Sequence, residues 1–211
     1  NLKIALIGSN GQIGTDILKY FTEKNEEVIG LTQDDIDVCY LEKCESVLFK
    51  VKPDIIINTA AFHVVDLCED EAASAFAVNA DGVKNLCEVC LNLDIPLVHF
   101  STDFVFGLDR DRTTPYAEND CPGPVSMYGI SKLAGEFVIR YMLKKYYLLR
   151  VCGLYGHAGS FGKGSNFVEL MLKLVKEGSG IKVVNDQITT PTSTKDVTRK
   201  LYELIKTGKH G

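Results

Sequence analysis

The sequence predicts an α/β protein built on a doubly wound parallel sheet with helices on both faces. Three observations support this fold class. Short apolar runs alternate with longer amphipathic stretches from residue 2 to residue 151. The first apolar run, 2–7, passes directly into a glycine-rich turn that opens a helical stretch. Alternating strands and helices require parallel pairing through right-handed crossovers, which is the doubly wound arrangement.

The elements follow from local patterns. Aliphatic runs bounded by turn residues predict five buried strands, at residues 2–7, 27–31, 54–58, 95–100 and 146–151. A period of 3.6 residues in the apolar positions predicts the intervening helices, at residues 12–24, 72–93 and 126–144. Past residue 152 we expect first a mobile glycine-rich loop and then a helix, a short strand and a last helix, at residues 153–164, 166–177, 181–184 and 195–206.

Composition excludes several classes of function. The 211 residues are 45% hydrophobic and 24% charged, with a net charge of −5, which are ordinary values for a globular protein. Since there is no long basic run, nucleic acid is not an expected partner. No apolar stretch reaches the roughly 18 residues of a membrane span, and the first one is too short for a signal peptide. We therefore expect no membrane association and a cytoplasmic location.

Seven cysteines are present in an odd number and at irregular spacing, which predicts reduced thiols and no disulfide framework. Cys87 and Cys90 have the spacing of half a redox or zinc site. They lie in an apolar helical run without a second such pair, so buried packing thiols are the favoured interpretation and no metal site is expected.

The turn after the first strand is the first functional motif. Gly8, Gly11 and Gly14 have the spacing GxxGxxG between a strand and a helix. Glycines at this point allow a tight turn and a close approach of the backbone to a pyrophosphate, and the helix N-terminus offers free N–H groups. The motif predicts a Rossmann-like NAD(P)-binding domain over residues 1–152.

The end of the second strand leaves the choice between NADPH and NADH open. A strictly NAD-dependent site carries a carboxylate there for the ribose 2′-hydroxyl, whereas this chain has Thr32. Asp34 and Asp35 follow in what reads as a solvated loop or cap. Asp37 and Val38 are better placed to flank the adenine.

Tyr128 and Lys132 form the second motif, YxxxK. Residues four apart lie about one helical turn apart on one face. A cation beside a phenol lowers its pKa from about 10 and creates a proton donor for a carbonyl. Thr102 leaves the fourth strand at the carboxyl edge of the sheet, where its hydroxyl can bind the same carbonyl oxygen. No metal is needed in this scheme, because a nicotinamide supplies the hydride.

With these motifs the chain resembles the dTDP-4-dehydrorhamnose reductase family of the extended short-chain dehydrogenases/reductases. STDFVFG (101–107) and DQITTPTSTKDV (186–197) are fairly specific to that family. The glycine spacing and YxxxK indicate only the superfamily. Nearly the whole chain contributes to the resemblance, through further segments GSNGQIG (8–14), PDIIINTAA (53–61), VNADGVKNL (78–86), YGISKLAGE (128–136) and GSNF (164–167).

The resemblance implies a role for each matching residue. Tyr128 would protonate the C4 keto oxygen, Lys132 would bind the nicotinamide ribose, and Thr102 would tune Tyr128 and orient the substrate. The substrate would be a nucleotide-linked 4-keto-6-deoxysugar, contacted by Thr102, Asp103 and Asn166. The residues expected to contact the cofactor are Gly8, Gly11, Gln12, Ile13, Gly14, Asp37, Val38, Ala60, Ala61, His63, Phe100, Tyr128 and Lys132. A homodimer is expected by analogy alone.

Three departures from the family pattern concern the substrate and cofactor. The family has a tryptophan that packs on the nucleotide-sugar, but this chain has Gly153 at that position and no tryptophan at all. The second strand ends in Thr32 instead of an acidic residue. Family members are also considerably longer, so we expect residues 153–211 to be an incomplete substrate-binding lobe, interleaved with the Rossmann domain, of a truncated or partial chain.

Two alternatives have the same fold. The first is a cofactor-binding regulatory subunit resembling the methionine adenosyltransferase beta subunit, which also lacks the tryptophan; the intact Thr102 favours the reductase. The second is an epimerase or dehydratase of the same superfamily. A dehydratase carries an Asp-Glu pair after the threonine, whereas here Asp103 and Phe104 follow.

Overall fold

A parallel sheet forms the centre of the molecule. The computed structural model describes residues 1–156, 158, 167–178, 180–185 and 187–211. Within these residues the main sheet has five strands, β1 (Lys3–Ile7), β2 (Glu27–Leu31), β3 (Ile55–Asn58), β4 (Leu97–Thr102) and β5 (Tyr146–Val151). Their order is β2-β1-β3-β4-β5, and every neighbouring pair is parallel. The predicted doubly wound fold is confirmed.

The switch point of the sheet lies between β1 and β3. The chain leaves β1 towards β2 on one side and then crosses to β3 on the other side. Ile7, the last residue of β1, pairs with both Leu31 and Asn58, so the three strands end at the same edge. Ligands of doubly wound sheets bind in the crevice at this point.

Helices cover both faces of the sheet. Those in the described ranges are α1 (Gln12–Glu23), α2 (Leu41–Val51), α3 (Val65–Asp70), α4 (Ala72–Phe76), α5 (Gly82–Leu93), α6 (Met127–Met142), α7 (Phe167–Lys176) and α8 (Thr194–Thr207). A short parallel pair lies outside the main sheet, β6 (Leu154–Tyr155) with β7 (Thr192–Ser193). Among these helices none has both the length and the apolar character needed to cross a bilayer.

The core consists of two layers, one on each face of the sheet. Successive strand residues point to opposite faces, so Ala5 and Ile7 pack with α2, α5 and α6, whereas Ile4 and Leu6 pack with α1 and α8. All four side chains are buried. Burial on both faces explains why the strands read as continuous apolar runs instead of alternating ones.

Helix α6 begins at a capped turn and lies very close to neighbouring backbone. The Ser126 hydroxyl accepts a hydrogen bond from the Gly129 N–H and caps the helix. A Cβ at Gly129 would collide with the Phe104 carbonyl oxygen, and one at Gly135 would collide with the Asn79 carbonyl oxygen. The two glycines of YGISKLAGE therefore let α6 approach the end of β4 and the helix before α5.

The structure differs from the predicted elements in three places. The predicted helix at 72–93 is interrupted by one π-helical turn, Ala77–Asp81. α2 and α3 lie in segments where no helix was predicted. The strand predicted at 181–184 is wrong, since these residues are exposed and pair with no strand in the described part of the chain. Most of the predicted loop at 153–164 lies outside the described residues.

Glu26 anchors α8 to the edge of the sheet. Its buried carboxylate accepts hydrogen bonds from the Leu2 N–H at 2.6 Å and the Tyr202 hydroxyl at 3.1 Å, and it pairs with the Lys206 ammonium at 2.5 Å. Burial raises the pKa of Glu26, but the Lys206, Leu2 and Tyr202 contacts outweigh it and hold the pKa below its ordinary value. The C-terminal helix is thus fastened by charge as well as by apolar packing.

We expect Glu26→Gln to lower the free energy of unfolding by about 1–3 kcal/mol at pH 7, because a charge-assisted set of hydrogen bonds is lost. A carboxylate with a lowered pKa stabilises the folded state above its unfolded pKa and ceases to do so as the pH falls. The difference from wild type should therefore shrink below about pH 4.5. Urea unfolding at pH 7 and pH 3.5 measures it. Glu27→Gln, at an exposed neighbour paired with Lys3, is the control; an equal loss there would contradict the anchor.

Candidate active site

The glycine loop after β1 is tight and open to an anion. Gly8 has φ +79°, and its N–H bonds to the Leu31 carbonyl at 2.9 Å. A Cβ at Gly14 would collide with the Gly8 carbonyl oxygen, and a Cβ at Gly8 would collide with Thr59. Gly11 is the N-cap of α1 and supplies no side-chain cap, and the first turn has no acidic residue. The helix N-terminus keeps free N–H groups and an unopposed dipole.

Two observations test whether a dinucleotide fits this loop. The three glycines form a cradle that a Cβ would fill, by collision with the Gly8 carbonyl at Gly14 and with the Thr59 hydroxyl at Gly8. The Gln12 Nε2 atom is buried and, among the described residues, has no hydrogen-bond acceptor. An N–H group left in this way beside a helix N-terminus fits a phosphate oxygen. The loop therefore fits the pyrophosphate of a dinucleotide.

The segment after β3 closes the other side of the loop. The Thr59 hydroxyl contacts the Ile7 and Gly8 carbonyls at 2.8 and 3.0 Å. Ala60 lies next to Gly8, and the His63 Nδ1 lies 3.3 Å from the Ala61 carbonyl. The switch point thus brings Thr59 and Ala60 to the glycine loop, and Ala61 and His63 follow along the same segment.

The end of β2 is occupied by its own turn. The Asp35 carboxylate accepts hydrogen bonds from the N–H and the hydroxyl of Thr32 at 2.8 and 2.9 Å, and these bonds lower the pKa of Asp35. Asp37 accepts from the Cys39 N–H, and Val38 is buried against Gly82. Asp35 thus lies in an exposed turn, in agreement with the predicted solvated loop.

Thr102 and Tyr128 meet at the carboxyl end of β4. The Thr102 hydroxyl donates to the Asp103 carboxylate at 3.2 Å and accepts from the Phe104 N–H. It also lies near enough to the Tyr128 phenol to affect the pKa of that group. The Phe104 ring lies edge-on to Tyr128 at 5.6 Å between centroids. Because the first turn of α6 sits on this strand end, the hydroxyls of Thr102 and Tyr128 can address one oxygen atom.

The predicted lowering of the Tyr128 pKa is wrong. Burial raises the pKa of Tyr128 to about 12, the Asp103 charge adds to the rise, and only the Thr102 hydrogen bond opposes it. The prediction failed because Lys132 directs its nitrogen elsewhere. Its Nζ donates to the Phe100 carbonyl at 2.6 Å and lies 3.2 Å from the His99 Nε2.

Lys132 is 2% exposed, which is rare for a lysine. Burial lowers the pKa of its amine to about 8, against a smaller opposing effect of the Glu136 charge. His99 is also buried, and both burial and Lys132 hold the pKa of its imidazole well below the ordinary value. Lys132 therefore changes its charge near neutral pH instead of near pH 10.

One turn further along α6, Glu136 is fully buried and fully paired. Its carboxylate accepts from the Ser101 hydroxyl at 2.5 Å and from two nitrogens of Arg150 at 2.9 and 2.6 Å. The Arg150 guanidinium also lies over the Phe106 ring, 4.9 Å from its centroid. A bidentate pair of this kind fixes α6 against both β4 and β5.

The loop after the active site is held by a stack that continues from Arg150. Phe106 stacks on Tyr116 at 4.2 Å and 10°, and the Arg112 guanidinium covers the other face of Tyr116 at 4.1 Å. Arg112 in turn pairs with Asp120 at 2.6 Å. The segment 106–120 is therefore ordered by aromatic and cation–π contacts beside Thr102.

Asn79 joins the segment after β3 to α6. It lies in the π-helical turn, where its amide donates to the Phe62 carbonyl and to the Ser131 hydroxyl and accepts from the Phe62 N–H. Single π-helical turns are frequent at functional sites. The turn directs one buried amide to both walls of the site.

Several of these residues were not predicted individually: Asn58, Asn79, His99, Ser101, Glu136 and Arg150. Their signal in the sequence is a polar residue inside an apolar run, such as Asn58 after three isoleucines and His99 within LVHF. Buried polar groups need partners, so such positions mark pairs. Which pairs form depends on the packing of α6 on β4, which the sequence pattern alone does not give.

The remaining predicted residues have the following positions. Phe100 is buried in β4 and offers its carbonyl to Lys132. Cys87 and Cys90 are buried free thiols in the core, as predicted, and burial raises the pKa of both. In the described part of the chain no cluster of potential ligands could hold a metal ion. Asn166 lies outside the described residues.

The doubly wound sheet, the glycine loop at its switch point and the Thr102, Tyr128 and Lys132 set together define an extended short-chain dehydrogenase/reductase. A family model described as the RmlD substrate binding domain matches residues 2–211. The chain belongs to this family, whose members include dTDP-4-dehydrorhamnose reductases.

Relatives with assigned names support this membership. A dTDP-4-dehydrorhamnose reductase from Sinorhizobium fredii is 38% identical over 93% of this chain and 64% of its own length. The spore coat polysaccharide biosynthesis protein SpsK from Bacillus subtilis is 36% identical over 96% of this chain and 69% of its own length. This chain thus spans about two thirds of the length of such relatives.

Solved structures give the same result. A dTDP-4-dehydrorhamnose reductase from Clostridium acetobutylicum has a TM-score of 0.91 at 38% identity and covers 100% of this chain, which corresponds to 72% of its own. A dTDP-4-dehydrorhamnose reductase from Bacillus anthracis, solved in complex with NADP, has a TM-score of 0.92 at 33% identity, with 100% and 73% covered.

We expect Lys132→Met to change the dependence of stability on pH. A base whose pKa is lowered in the folded state makes stability rise with pH between its folded and unfolded values, here from about 8 to 10.5. Wild type should gain about 3 kcal/mol relative to the variant across that range. Urea unfolding at pH 7, 8, 9 and 10 measures the difference, with the exposed Lys19→Met as control. Parallel curves for wild type and Lys132→Met would refute a buried, titrating lysine.

Proposed function

We propose that the protein is an NAD(P)H-dependent reductase of a nucleotide-linked 4-keto-6-deoxysugar, of the dTDP-4-dehydrorhamnose reductase type. The observation that carries the proposal is the placement of Tyr128, in the first turn of α6, beside Thr102 at the carboxyl end of β4. This pair lies on the same edge of the sheet as the glycine loop after β1. A proton donor beside a dinucleotide cradle supports carbonyl reduction.

The proposed cofactor is NADPH or NADH. Residues of the glycine loop would hold the pyrophosphate, namely Gly8, Gly11, Gln12, Ile13 and Gly14. Asp37 and Val38 would flank the adenine, while Ala60, Ala61, His63 and Phe100 would line the path toward the nicotinamide. The Bacillus anthracis relative was solved with NADP, and the engagement of Asp35 by Thr32 removes one carboxylate that could select NADH.

The chain's own residues would act on the carbonyl oxygen of the substrate. When bound, the nicotinamide supplies the hydride. Tyr128 would donate the phenolic proton to the oxygen, and the Thr102 hydroxyl would orient both partners and stabilise the charge that develops. Lys132 would hold the nicotinamide ribose and, when protonated, favour the phenolate that remains on Tyr128.

The substrate would lie over Thr102 and Asp103, with Asn166 as a further contact. Residues 153–211 would supply part of a substrate-binding lobe interleaved with the Rossmann domain of residues 1–152. Gly153 has φ +43°, a conformation that favours glycine. A tryptophan at this position would be strained, so another surface would contact the base or sugar.

We also propose a cytoplasmic homodimer that does not bind nucleic acid. An exposed apolar stripe on α6 (Ile130, Phe137 and Tyr141, spaced 7 and 4 residues apart) supports a contact between copies. Buried free thiols such as Cys44, Cys87 and Cys90 suit a reducing compartment. The net charge of −5 disfavours nucleic acid.

We expect Tyr128→Phe to lower kcat about 10²-fold or more, because the proton donor is lost, while the Kd for NADPH stays within about twofold. Oxidation of NADPH and of NADH at 340 nm with dTDP-4-keto-6-deoxysugars measures the rate. Tyr141→Phe removes an exposed hydroxyl from the same helix and should leave the rate unchanged. An unchanged rate in Tyr128→Phe would exclude this mechanism.

If no substrate is turned over and a partner enzyme co-purifies, the regulatory-subunit alternative gains support.

Gly14→Ala should abolish dinucleotide binding, because its Cβ collides with the Gly8 carbonyl and displaces the loop from the pyrophosphate. We expect the Kd for NADPH to rise at least about 100-fold by isothermal titration calorimetry, which corresponds to about 3 kcal/mol. Gly180→Ala is the matched control, since a Cβ there meets no atom of the described residues within 4 Å. Tight NADPH binding by a folded Gly14→Ala protein would contradict the assigned cradle.

A further inference from the structure

Asn58 and His99 form a buried chain that ends at Lys132. Asn58 ends β3, His99 lies opposite it in β4, and the two are register partners in the sheet. The Asn58 Nδ2 lies 3.1 Å from the His99 Nδ1, and the His99 Nε2 lies 3.2 Å from the Lys132 Nζ. All three side chains are at most 2% exposed, so water cannot substitute for these partners.

The orientation of the Asn58 amide sets the tautomer of His99. The Ala60 N–H donates to the Asn58 Oδ1 at 3.1 Å, so the oxygen of the amide faces Ala60 and its NH2 group faces His99. If the amide were flipped, its NH2 group would face the Ala60 N–H. Both groups are donors, so this hydrogen bond could not form. The His99 Nδ1 must then accept, and in a neutral imidazole the proton lies on Nε2.

An Nε2–H group on His99 requires an acceptor at Lys132. An ammonium has three donors and no lone pair, so it would oppose this N–H, whereas a neutral amine has one lone pair and two N–H groups. The lone pair can accept from the His99 Nε2–H, and one amine N–H donates to the Phe100 carbonyl at 2.6 Å. Each N–H group that joins Asn58, His99 and Lys132 therefore has a hydrogen-bond acceptor only when Lys132 is uncharged.

We propose that His99, fixed by Asn58 as the Nε2–H tautomer, is a positioning residue that holds Lys132 as a neutral amine against β4. The inference deepens the proposed function, because it concerns the lysine assigned there to the ribose and to Tyr128. It makes the charge of Lys132 a variable of the site: the lysine stabilises the Tyr128 phenolate only after it takes up a proton and leaves His99. The lowered pKa of Lys132 and the raised pKa of Tyr128 agree with this arrangement.

Other charged groups around Lys132 act in the opposite direction or are neutralised. Glu136, on the same helix, raises the pKa of Lys132, but its carboxylate is already paired with Arg150 from β5. Asp103, which follows β4, acts on Tyr128 and is engaged by Thr102. From β3 and β4, the groups that contact Lys132 directly or through one hydrogen bond are Asn58, His99 and the Phe100 carbonyl.

The direct test is the protonation pattern of the His99 ring. In a long-range 1H–15N spectrum of histidine-labelled protein without added nucleotide, His99 should show a bare Nδ1 and a protonated Nε2 from pH 8.5 to pH 9.5, where Lys132 is mostly uncharged. His99→Gln assigns the signal among the four histidines. An Nδ1–H tautomer or an imidazolium in this range would overturn the proposal. This readout requires no turnover, so it stands or falls separately from the reductase proposal.

A second measurement follows the lysine itself. In lysine-labelled protein the 13Cε signal of Lys132, assigned with Lys132→Met, should titrate with a midpoint near 8. Asn58→Asp offers a second acceptor in place of the NH2 group, so the His99 ring should change to Nδ1–H and the Lys132 midpoint should rise by about one pH unit or more. His99→Gln retains an N–H donor and should keep the midpoint within about half a unit. A rise in Asn58→Asp with no change of tautomer would assign the effect to charge alone and reject the positioning role.

Discussion

The register between β4 and α6 is the constraint on which the rest of the site depends. His99 and Ser101 are two apart on one face of β4, a separation of about 6.6–6.8 Å. Lys132 and Glu136 are four apart on one face of α6, a separation of about 6 Å. The near match lets each strand residue meet one helix residue, His99 with Lys132 and Ser101 with Glu136. A shift of α6 by one residue would break both contacts and leave two buried ionisable groups without partners.

The cost of burying an ionisable group is offset differently at Glu136 and at Lys132. Glu136 has a bidentate cationic partner in Arg150. Lys132 has no such partner at the same distance; it has a carbonyl and an imidazole, which suit an amine that can lose its charge. Glu136 thus fixes where the helix lies, while Lys132, one turn away, remains adjustable. Tyr128 lies one further turn along and takes its position from the same helix.

The strand–helix alternation, the glycine cradle and the three residues Thr102, Tyr128 and Lys132 could be predicted from the sequence, because each depends on local pattern. The strand at 181–184 was wrong, since a β-branched run does not reveal whether a partner strand exists. The contacts of Lys132 could not be predicted for a related reason. Spacing places Lys132 one turn from Tyr128, but only the packing of α6 on β4 determines that its nitrogen meets His99. In the sequence, Gly129 and Gly135 indicate this packing, because at both positions α6 lies directly against the backbone of a neighbouring segment.

The close approach of α6 to the sheet also explains why Lys132 lowers the stability of the fold while it is suited to a chemical role. Without Cβ atoms at Gly129 and Gly135, α6 lies near enough to the sheet to remove Lys132 from water. Burial of an amine destabilises its charged form, so the folded protein is less stable at neutral pH than it would be with an apolar side chain at this position. A residue that only packed would be better replaced by methionine or leucine. A buried lysine between a carbonyl, an imidazole and a phenol-bearing turn therefore fits the chemical role proposed for Lys132 better than a role in packing alone.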